Sequence, residues 1–317
     1  MLLNVVYVLA GLGGLFLGGN WLLKGASRLA ASLGLPPVII GLTVVAFGTS
    51  MPELMVSLNA ALSGSNGIVI GNVVGSNIAN IGLILGVSGI IMTIPIHISL
   101  IKREIPVMIA ASVVVYLLAM DGVIGSLEGL LLFAGLIVFI TVLVVLSLRE
   151  RLKPDELREL KEEEHILGVI NRPFEIGRLL VGLLTLLVSA DWLVQGAVSI
   201  AIALGVSEVV IGLTLVALGT SLPELVTAII AATRRHDDIL FGNVIGSNIF
   251  NLLGILGITA LARPLPVEPH LLQFDMLVML GFALLVLPMA LNRMLRRREA
   301  VMLLAGYIGF LLLAVVV

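Results

Sequence analysis

The hexapeptide Gly-Thr-Ser-Met-Pro-Glu at residues 48–53 returns, with one substitution, as Gly-Thr-Ser-Leu-Pro-Glu at residues 219–224. Both copies belong to a longer internal repeat. Residues 20–89 align without a gap on residues 191–260, at a constant offset of 171. Self-similarity at a fixed offset indicates that the chain is built from two related units.

A second motif strengthens the repeat. The sequence GNVVGSNIAN at residues 71–80 matches GNVIGSNIFN at residues 242–251. The most polar segments of the two units are therefore their best-matched segments. A duplication retained only for packing would not require this, so the pattern points to a shared polar site.

Composition places this site in a membrane protein. Of the 317 residues, 59% are hydrophobic and only 12% are charged, and the mean hydropathy is +1.19. Soluble proteins carry about 25% charged residues. The absence of cysteine excludes disulfides and thiolate metal sites. No basic stripe with interleaved aromatic residues is present, so nucleic-acid binding is not expected.

Ten apolar segments are each about long enough to cross a bilayer, which takes about 20 residues. They lie near residues 3–30, 37–62, 67–92, 104–120, 124–147, 177–203, 207–232, 239–262, 274–292 and 299–317. Five spans fall in each unit, and an odd number inverts the second unit relative to the first. Inverted repeats of this kind place a substrate site near the midplane, between the units.

The predicted fold is therefore an all-α integral membrane protein with ten transmembrane helices in two inverted five-helix repeats. The first repeat covers residues 1–148, a cytoplasmic linker covers 149–176, and the second repeat covers 177–317. Helices 2, 3, 7 and 8 are expected to be broken at the polar motifs. The linker mixes acidic and basic residues at helical spacing and is interpreted as a solvated helix.

The basic residues predict the orientation, because Lys and Arg concentrate in cytoplasmic loops. With the N-terminus outside, all 18 Lys and Arg residues except Arg263 fall on the cytoplasmic side. We therefore expect a multi-pass protein of the cell membrane with both termini outside.

Glu53 and Glu224 lie deep inside predicted spans. A charged side chain at the bilayer centre costs at least about 2.5–3.5 kcal/mol, so two at matched positions indicate a function. No Lys or Arg lies at a comparable depth to neutralise them. Pro52 and Pro223 lack an N–H group and are expected to break their helices beside the two acids.

The neighbouring residues supply further oxygen atoms. The expected ligands comprise carboxylates, hydroxyls, amide oxygens and carbonyls freed by the breaks: Glu53, Glu224, Thr49, Ser50, Thr220, Ser221, Ser76, Asn80, Ser247, Asn251, Ala46 and Ala217. Hard oxygen ligands of this kind suit Ca2+ and also Na+. The other asparagines, Asn72, Asn77, Asn243 and Asn248, are interpreted as side chains that tie helix backbones together.

On these two paired motifs, the chain resembles the cation/calcium exchanger superfamily, whose two α-repeats carry similar segments. The resemblance implies an antiporter that exchanges Ca2+ for Na+ or H+ by alternating access. It also implies that helices 1 and 6 slide against the other eight, and that the oxygen-bearing side chains named above are the ligands. It implies no cofactor besides the transported ions, and it leaves protein partners undefined.

Two departures bear on the coupling ion. Some sodium-driven members carry Asp where this chain has Asn251, which argues against a requirement for K+. Proton-driven members carry an acid within the third and eighth helix motifs, where this chain has Gly75 and Gly246, which favours Na+.

The alternatives are an H+/Ca2+ exchanger with the same two glutamates, a cation channel, and an intramembrane enzyme. A channel would use the same ligands without obligatory exchange. An enzyme would require a nucleophile and a base, or a metal with an activated water, and the motifs provide none.

Overall fold

The computed structural model describes residues 2–149, 153–163, 170–204 and 217–316. These residues are almost entirely helical. The helices are α1 (Leu2–Leu33), α2 (Pro37–Thr49), α3 (Met51–Ser63), α4 (Asn66–Ile91), α5 (Ile105–Leu118), α6 (Ser126–Arg149), α7 (Pro154–Glu163), α8 (Arg172–Ala203), α9 (Ala217–Thr220), α10 (Leu222–Arg234), α11 (Asp237–Ala262), α12 (Leu271–Leu291) and α13 (Arg297–Val316). Four two-residue strands join them: β1 (Ile94–Pro95), β2 (Val123–Ile124), β3 (Leu265–Pro266) and β4 (Met294–Leu295).

Six of the described helices, α1, α4, α6, α8, α11 and α12, are long and apolar enough to cross a membrane. The bent pair α2–α3 makes a seventh if it is counted as one span. The protein is therefore a multi-pass helical membrane protein. The total of ten spans stays a prediction, and residues 205–216, at the start of the predicted seventh span, lie outside the described residues.

The second predicted span is interrupted at the first motif. Helices α2 and α3 meet at Ser50 with a bend of 44°. Pro52 lies in the first turn of α3, where its missing N–H is tolerated. Helices α9 and α10 meet in the same way at Ser221, with Pro223 in the first turn of α10.

The prediction that the third and eighth spans are broken is wrong. Helices α4 and α11 are continuous, and each contains a π-helical segment in place of a break, at Asn80–Leu85 and Phe250–Ile255. Glycine and asparagine keep their N–H groups, so these motifs widen a helical turn without ending the helix. Such π-bulges occur frequently at functional sites.

The short strands join the two halves of the chain at symmetric positions. Strand β1 pairs with β4, and β2 pairs with β3, both antiparallel. The amide of Ile96 donates to the carbonyl of Arg293 at 2.9 Å, and the amide of Val267 donates to the carbonyl of Gly122 at 2.8 Å. These bonds are related by the offset of 171, so the repeat in the sequence is also a repeat of contacts.

Helices α1 and α8 pack antiparallel along their length. A methyl group at Gly18 would lie 2.8 Å from the carbonyl oxygen of Gly182, and one at Gly25 would lie 2.9 Å from the amide nitrogen of Leu179. Only residues without a side chain allow backbones to approach this closely.

Candidate ion-binding site

Glu53 and Glu224 occupy the first turns of α3 and α10, directly after the two helix interruptions. Each carboxylate is buried, with 1% of the residue exposed. The N-terminus of a helix carries a partial positive charge that favours a carboxylate at this position. The interruptions therefore provide two helix N-termini inside the protein, and each holds one acid.

The two halves exchange hydrogen bonds at this point. The hydroxyl of Ser50 donates to Oε1 of Glu224 at 3.1 Å, and the hydroxyl of Ser221 donates to Oε1 of Glu53 at 3.2 Å. Each serine precedes the acid of its own half by three residues but contacts the acid of the other half. These crossed bonds bring the two acids to the same part of the protein, where the two halves meet.

The second oxygen of each carboxylate is buried without a hydrogen-bond partner. A buried carboxylate oxygen in this state is unfavourable unless a cation or proton satisfies it. Within the described residues, no three or more His, Cys, Asp or Glu side chains converge on a metal position. A cation between Glu53 and Glu224 would therefore depend on neutral oxygens for its remaining ligands.

The second motif supplies such oxygens. Nδ2 of Asn80 donates to Oδ1 of Asn248 at 2.9 Å, which leaves Oδ1 of Asn80 without a donor. Oδ1 of Asn251 and Oγ of Ser247 are likewise buried without partners, and Ser76 is 6% exposed. Asn80 and Asn251 lie at the beginning of the π-helical segments, where the helix is widened.

The threonines and alanines are placed differently. Thr49 is fully buried and donates to Oδ1 of Asn243 at 3.2 Å, whereas Thr220 is partly exposed. The carbonyl of Ala46 accepts the amide of Ser50 at 3.1 Å, so the expectation that the break frees this carbonyl is wrong. The reason is that the helical hydrogen bonds continue as far as Ser50. Ala217 begins α9.

The interpretation of the remaining asparagines as ties between helix backbones holds for Asn72 but not for Asn77. Nδ2 of Asn72 donates to the backbone carbonyl of Glu53 at 3.1 Å and to the hydroxyl of Ser57 at 2.9 Å. Asn77 donates to the carbonyl of Val73 within its own helix at 2.7 Å. Asn72 therefore fixes the turn that carries an acid.

Two buried polar residues near the acids were not predicted. Ser57 is fully buried one turn after Glu53, and Thr227 is 1% exposed in the first turn after Glu224, with its hydroxyl unpartnered. Spacings of three and four residues place side chains on one face of a helix. The spacing of Ser57 and Thr227 from the two acids could therefore have identified both residues in the sequence.

Close packing brings the two motifs together. A methyl group at Gly242 would lie 2.6 Å from the carbonyl oxygen of Val38, and one at Gly246 would lie 2.6 Å from the carbonyl oxygen of Leu42. Helix α11 of the second half therefore lies directly against α2 of the first. As a result, the amide oxygen of Asn243 on α11 reaches Thr49, at the end of α2 beside the interruption that precedes Glu53.

Comparison with known proteins identifies the family of the chain. The sequence profile of the family described as sodium/calcium exchanger protein matches the chain twice, at residues 3–145 and 174–316. The chain is 34% identical to the sodium/calcium exchanger MaX1 of Methanosarcina acetivorans, over 97% of both chains. It is 36% identical to the inner membrane protein YrbG of Escherichia coli strain K12, over 88% of this chain and 86% of that protein.

A solved structure of the sodium-calcium exchanger NCX_Mj superimposes with a TM-score of 0.84 and 35% identity, over 97% of both chains. The profile matches cover most of the chain, and the relatives are similar over nearly their full lengths. The chain therefore belongs to the sodium/calcium exchanger protein family, and it is a membrane antiporter rather than an enzyme.

Proposed function

We propose that this antiporter exchanges Ca2+ for Na+ at a site between Glu53 and Glu224, near the middle of the membrane. The observation that carries the proposal is the pair of buried carboxylates, each held by a serine of the opposite half and each with one unpartnered oxygen. Both unpartnered oxygens could coordinate one bound cation, and the cation would then link the two halves of the protein.

The charge of the pair suits a divalent cation. One Ca2+ neutralises two carboxylates, and Ca2+ takes six to eight oxygen ligands in flexible geometry. We propose that these ligands are drawn from the twelve residues selected from the sequence, among which Ala46 and Ala217 would contribute backbone carbonyls. The carbonyl of Ala46 accepts the amide of Ser50 and, at 3.4 Å, the hydroxyl of Thr49, so it can act in this way only when Thr49 donates to Asn243 alone.

Exchange follows from competition for the same carboxylates. Two buried negative charges without a cation are unfavourable inside the membrane. The protein therefore switches the side from which the site is accessible only when cations occupy it. Na+ as the second ion is supported by two relatives that are named sodium/calcium exchangers. The alternative is H+, because the same two glutamates can each carry a proton. We propose no cofactor besides the transported ions.

We further propose ten spans in two inverted five-helix repeats, at residues 1–148 and 177–317, joined by a cytoplasmic linker at 149–176, with both termini outside. The strand pairs support this topology. Strands β1 and β4 lie in the loops predicted to be cytoplasmic, and β2 and β3 lie in the loops predicted to be external. A missing or additional span between paired strands would place them on opposite faces.

The test is uptake of radioactive calcium by purified protein in liposomes, with Na+ and H+ gradients imposed separately. We expect an outward Na+ gradient to drive Ca2+ uptake at constant pH, without a requirement for K+. Uptake that follows only the pH gradient would show that the coupling ion is H+ and not Na+. Uptake that needs no counter-ion at all would indicate a channel.

A further inference from the structure

At one end of the α1–α8 pair, basic residues line the seam between the two helices. The residues that form this seam cluster are Lys24, Arg28, Arg172, Glu175 and Arg178. Arg28 contacts Oε1 of Glu175 at 3.5 Å, and Arg178 contacts Oε2 of the same carboxylate at 2.7 Å. Arg172 donates to the backbone carbonyl of Ser32 at 2.6 Å.

The helical spacing explains why these residues meet. Lys24, Arg28 and Ser32 are four residues apart on α1, and Arg172, Glu175 and Arg178 are three apart on α8. Both spacings keep side chains on one face of a helix. Because Gly25 packs on Leu179 and Arg172 reaches Ser32, these two faces lie beside the same seam.

The charges of the cluster do not balance. Glu175 is buried, with 3% exposed, and it is engaged by two arginines. Lys24 and Arg172 are both exposed. Counted within these five residues, the cluster holds four bases and one acid. The N-terminus of α8, which begins at Arg172, adds a partial positive charge.

The cluster lies where the membrane surface must be. Helix α1 has 32 residues and is about 48 Å long, more than the hydrocarbon thickness of about 30 Å. Its residues from Leu2 to Leu23 carry no charge, and Lys24 is the first charged residue after them. Trp21, 46% exposed, lies one turn before Lys24, a position typical of the membrane interface.

Apolar surface continues from the cluster toward the membrane. Leu17 and Trp21 on α1 and Leu180 and Leu184 on α8 are exposed large apolar residues. The ring of Phe174 is 58% exposed and packs under the guanidinium of Arg178 at 4.7 Å. A ligand that suits both parts has an anionic group attached to long apolar chains.

We propose that the seam cluster binds the phosphate group of an anionic phospholipid, whose acyl chains lie along the exposed apolar faces of α1 and α8. Lys24 and Arg172 supply the excess positive charge, and Arg178, held in place by Glu175 and Phe174, orients the phosphate. The lipid would bridge the two helices at this end. This site is independent of the ion site and of the choice of coupling ion.

The test is a titration of fluorescent phosphatidylglycerol into the purified full-length protein in an uncharged detergent. We expect the wild type to bind it more tightly than phosphatidylcholine. Each basic residue near an anionic lipid surface strengthens binding about fivefold, so Lys24→Gln with Arg172→Gln should weaken it about 25-fold. The thermal unfolding of the lipid-free protein should remain close to that of the wild type.

The matched control removes two bases elsewhere, by Arg297→Gln with Arg298→Gln at the exposed beginning of α13. This control should retain the wild-type affinity. An equal loss in both double variants would mean diffuse attraction to the whole basic surface and would overturn the proposal. Equal binding of the two lipids by the wild type would do the same, as would full displacement of the lipid by equimolar inorganic phosphate. If the double variant fails to fold, Lys24→Gln alone should still weaken binding about fivefold.

Discussion

The hydroxyl of Ser50 donates to Oε1 of Glu224 at 3.1 Å, although the two residues are 174 positions apart in the chain. The reciprocal bond from Ser221 to Glu53 makes each acid depend on the opposite half for a donor. In the proposed site, neither half can position its carboxylate alone. A change in the distance between the halves would alter both crossed hydrogen bonds at once.

The first prediction concerns the acids. Glu53→Gln or Glu224→Gln removes one negative charge and preserves the shape of the side chain, so Ca2+ exchange should fall to background while the protein stays folded. The measurement is radiocalcium uptake in liposomes, with size-exclusion chromatography to check folding. Glu159→Gln, on the exposed face of α7, is the control and should transport normally. Uptake near the wild-type rate in either site variant would remove that glutamate from the site.

The second prediction concerns the crossed serines. Ser50→Ala and Ser221→Ala each remove a hydrogen bond to a charged group, worth about 1.5–3 kcal/mol. The apparent affinity for Ca2+ should therefore fall about tenfold or more in each variant, and similarly in both because the bonds are equivalent. Ser147→Ala, which removes a buried hydroxyl that donates to the carbonyl of Leu143 in α6, should leave the affinity unchanged. A large loss in one serine variant but not the other would contradict the proposed equivalence.

The third prediction concerns topology. The chain has no cysteine, so single cysteines can be labelled without background. Lys161→Cys in α7 should resist an impermeant thiol reagent in intact cells and react after the cells are opened. Asp121→Cys, in the turn between α5 and α6, should react from outside. The opposite pattern at the two positions would reverse the proposed orientation.

The fourth prediction concerns the charge of the site. Oδ1 of Asn251 is buried without a partner, and Asn80 is its equivalent in the first half. Asn251→Asp would add a third carboxylate near the pair, and like charges at short range oppose full ionisation. Calcium flux should then depend more strongly on pH or on an added monovalent ion than in the wild type.

The readout is radiocalcium flux measured against Na+, K+ and pH in the wild type and in Asn251→Asp. In the wild type, Na+ should compete with Ca2+, and K+ should have no effect. Asn292→Asp, at the exposed end of α12, is the matched control, because it makes the same change of charge away from the proposed site and should leave these dependences unchanged. Indifference of the wild type to Na+ would leave H+ as the coupling ion.

The positions of Glu53 and Glu224 could be predicted because very few environments inside a membrane tolerate a carboxylate. The interruption before each acid could be predicted from Pro52 and Pro223, because proline has no N–H group to continue a helix. The repeat also predicted that the two acids would be equivalent, and the crossed serine bonds have that symmetry.

Contacts between distant residues could not be predicted in the same way. No periodicity indicates that Asn80 donates to Asn248, or that Thr49 donates to Asn243, because side-chain pairing depends on how α2, α4 and α11 cross. The π-helical segments were missed because glycine-rich sequence is compatible with a break and with a widened turn. Two-residue strands are too short to produce an alternating pattern.

Those strands constrain how the molecule can move. The pair β1–β4 joins the α4–α5 connection to the α12–α13 connection, and β2–β3 joins the α5–α6 connection to the α11–α12 connection. Backbone hydrogen bonds therefore hold α4, α5, α12 and α13 together at one end, and α5, α6, α11 and α12 together at the other. Because α5 and α12 take part at both ends, these six helices form one frame. Neither pair includes a residue next to α1 or α8. If access alternates between the two sides, the α1–α8 pair can therefore move relative to this frame without breaking the hydrogen bonds of either strand pair.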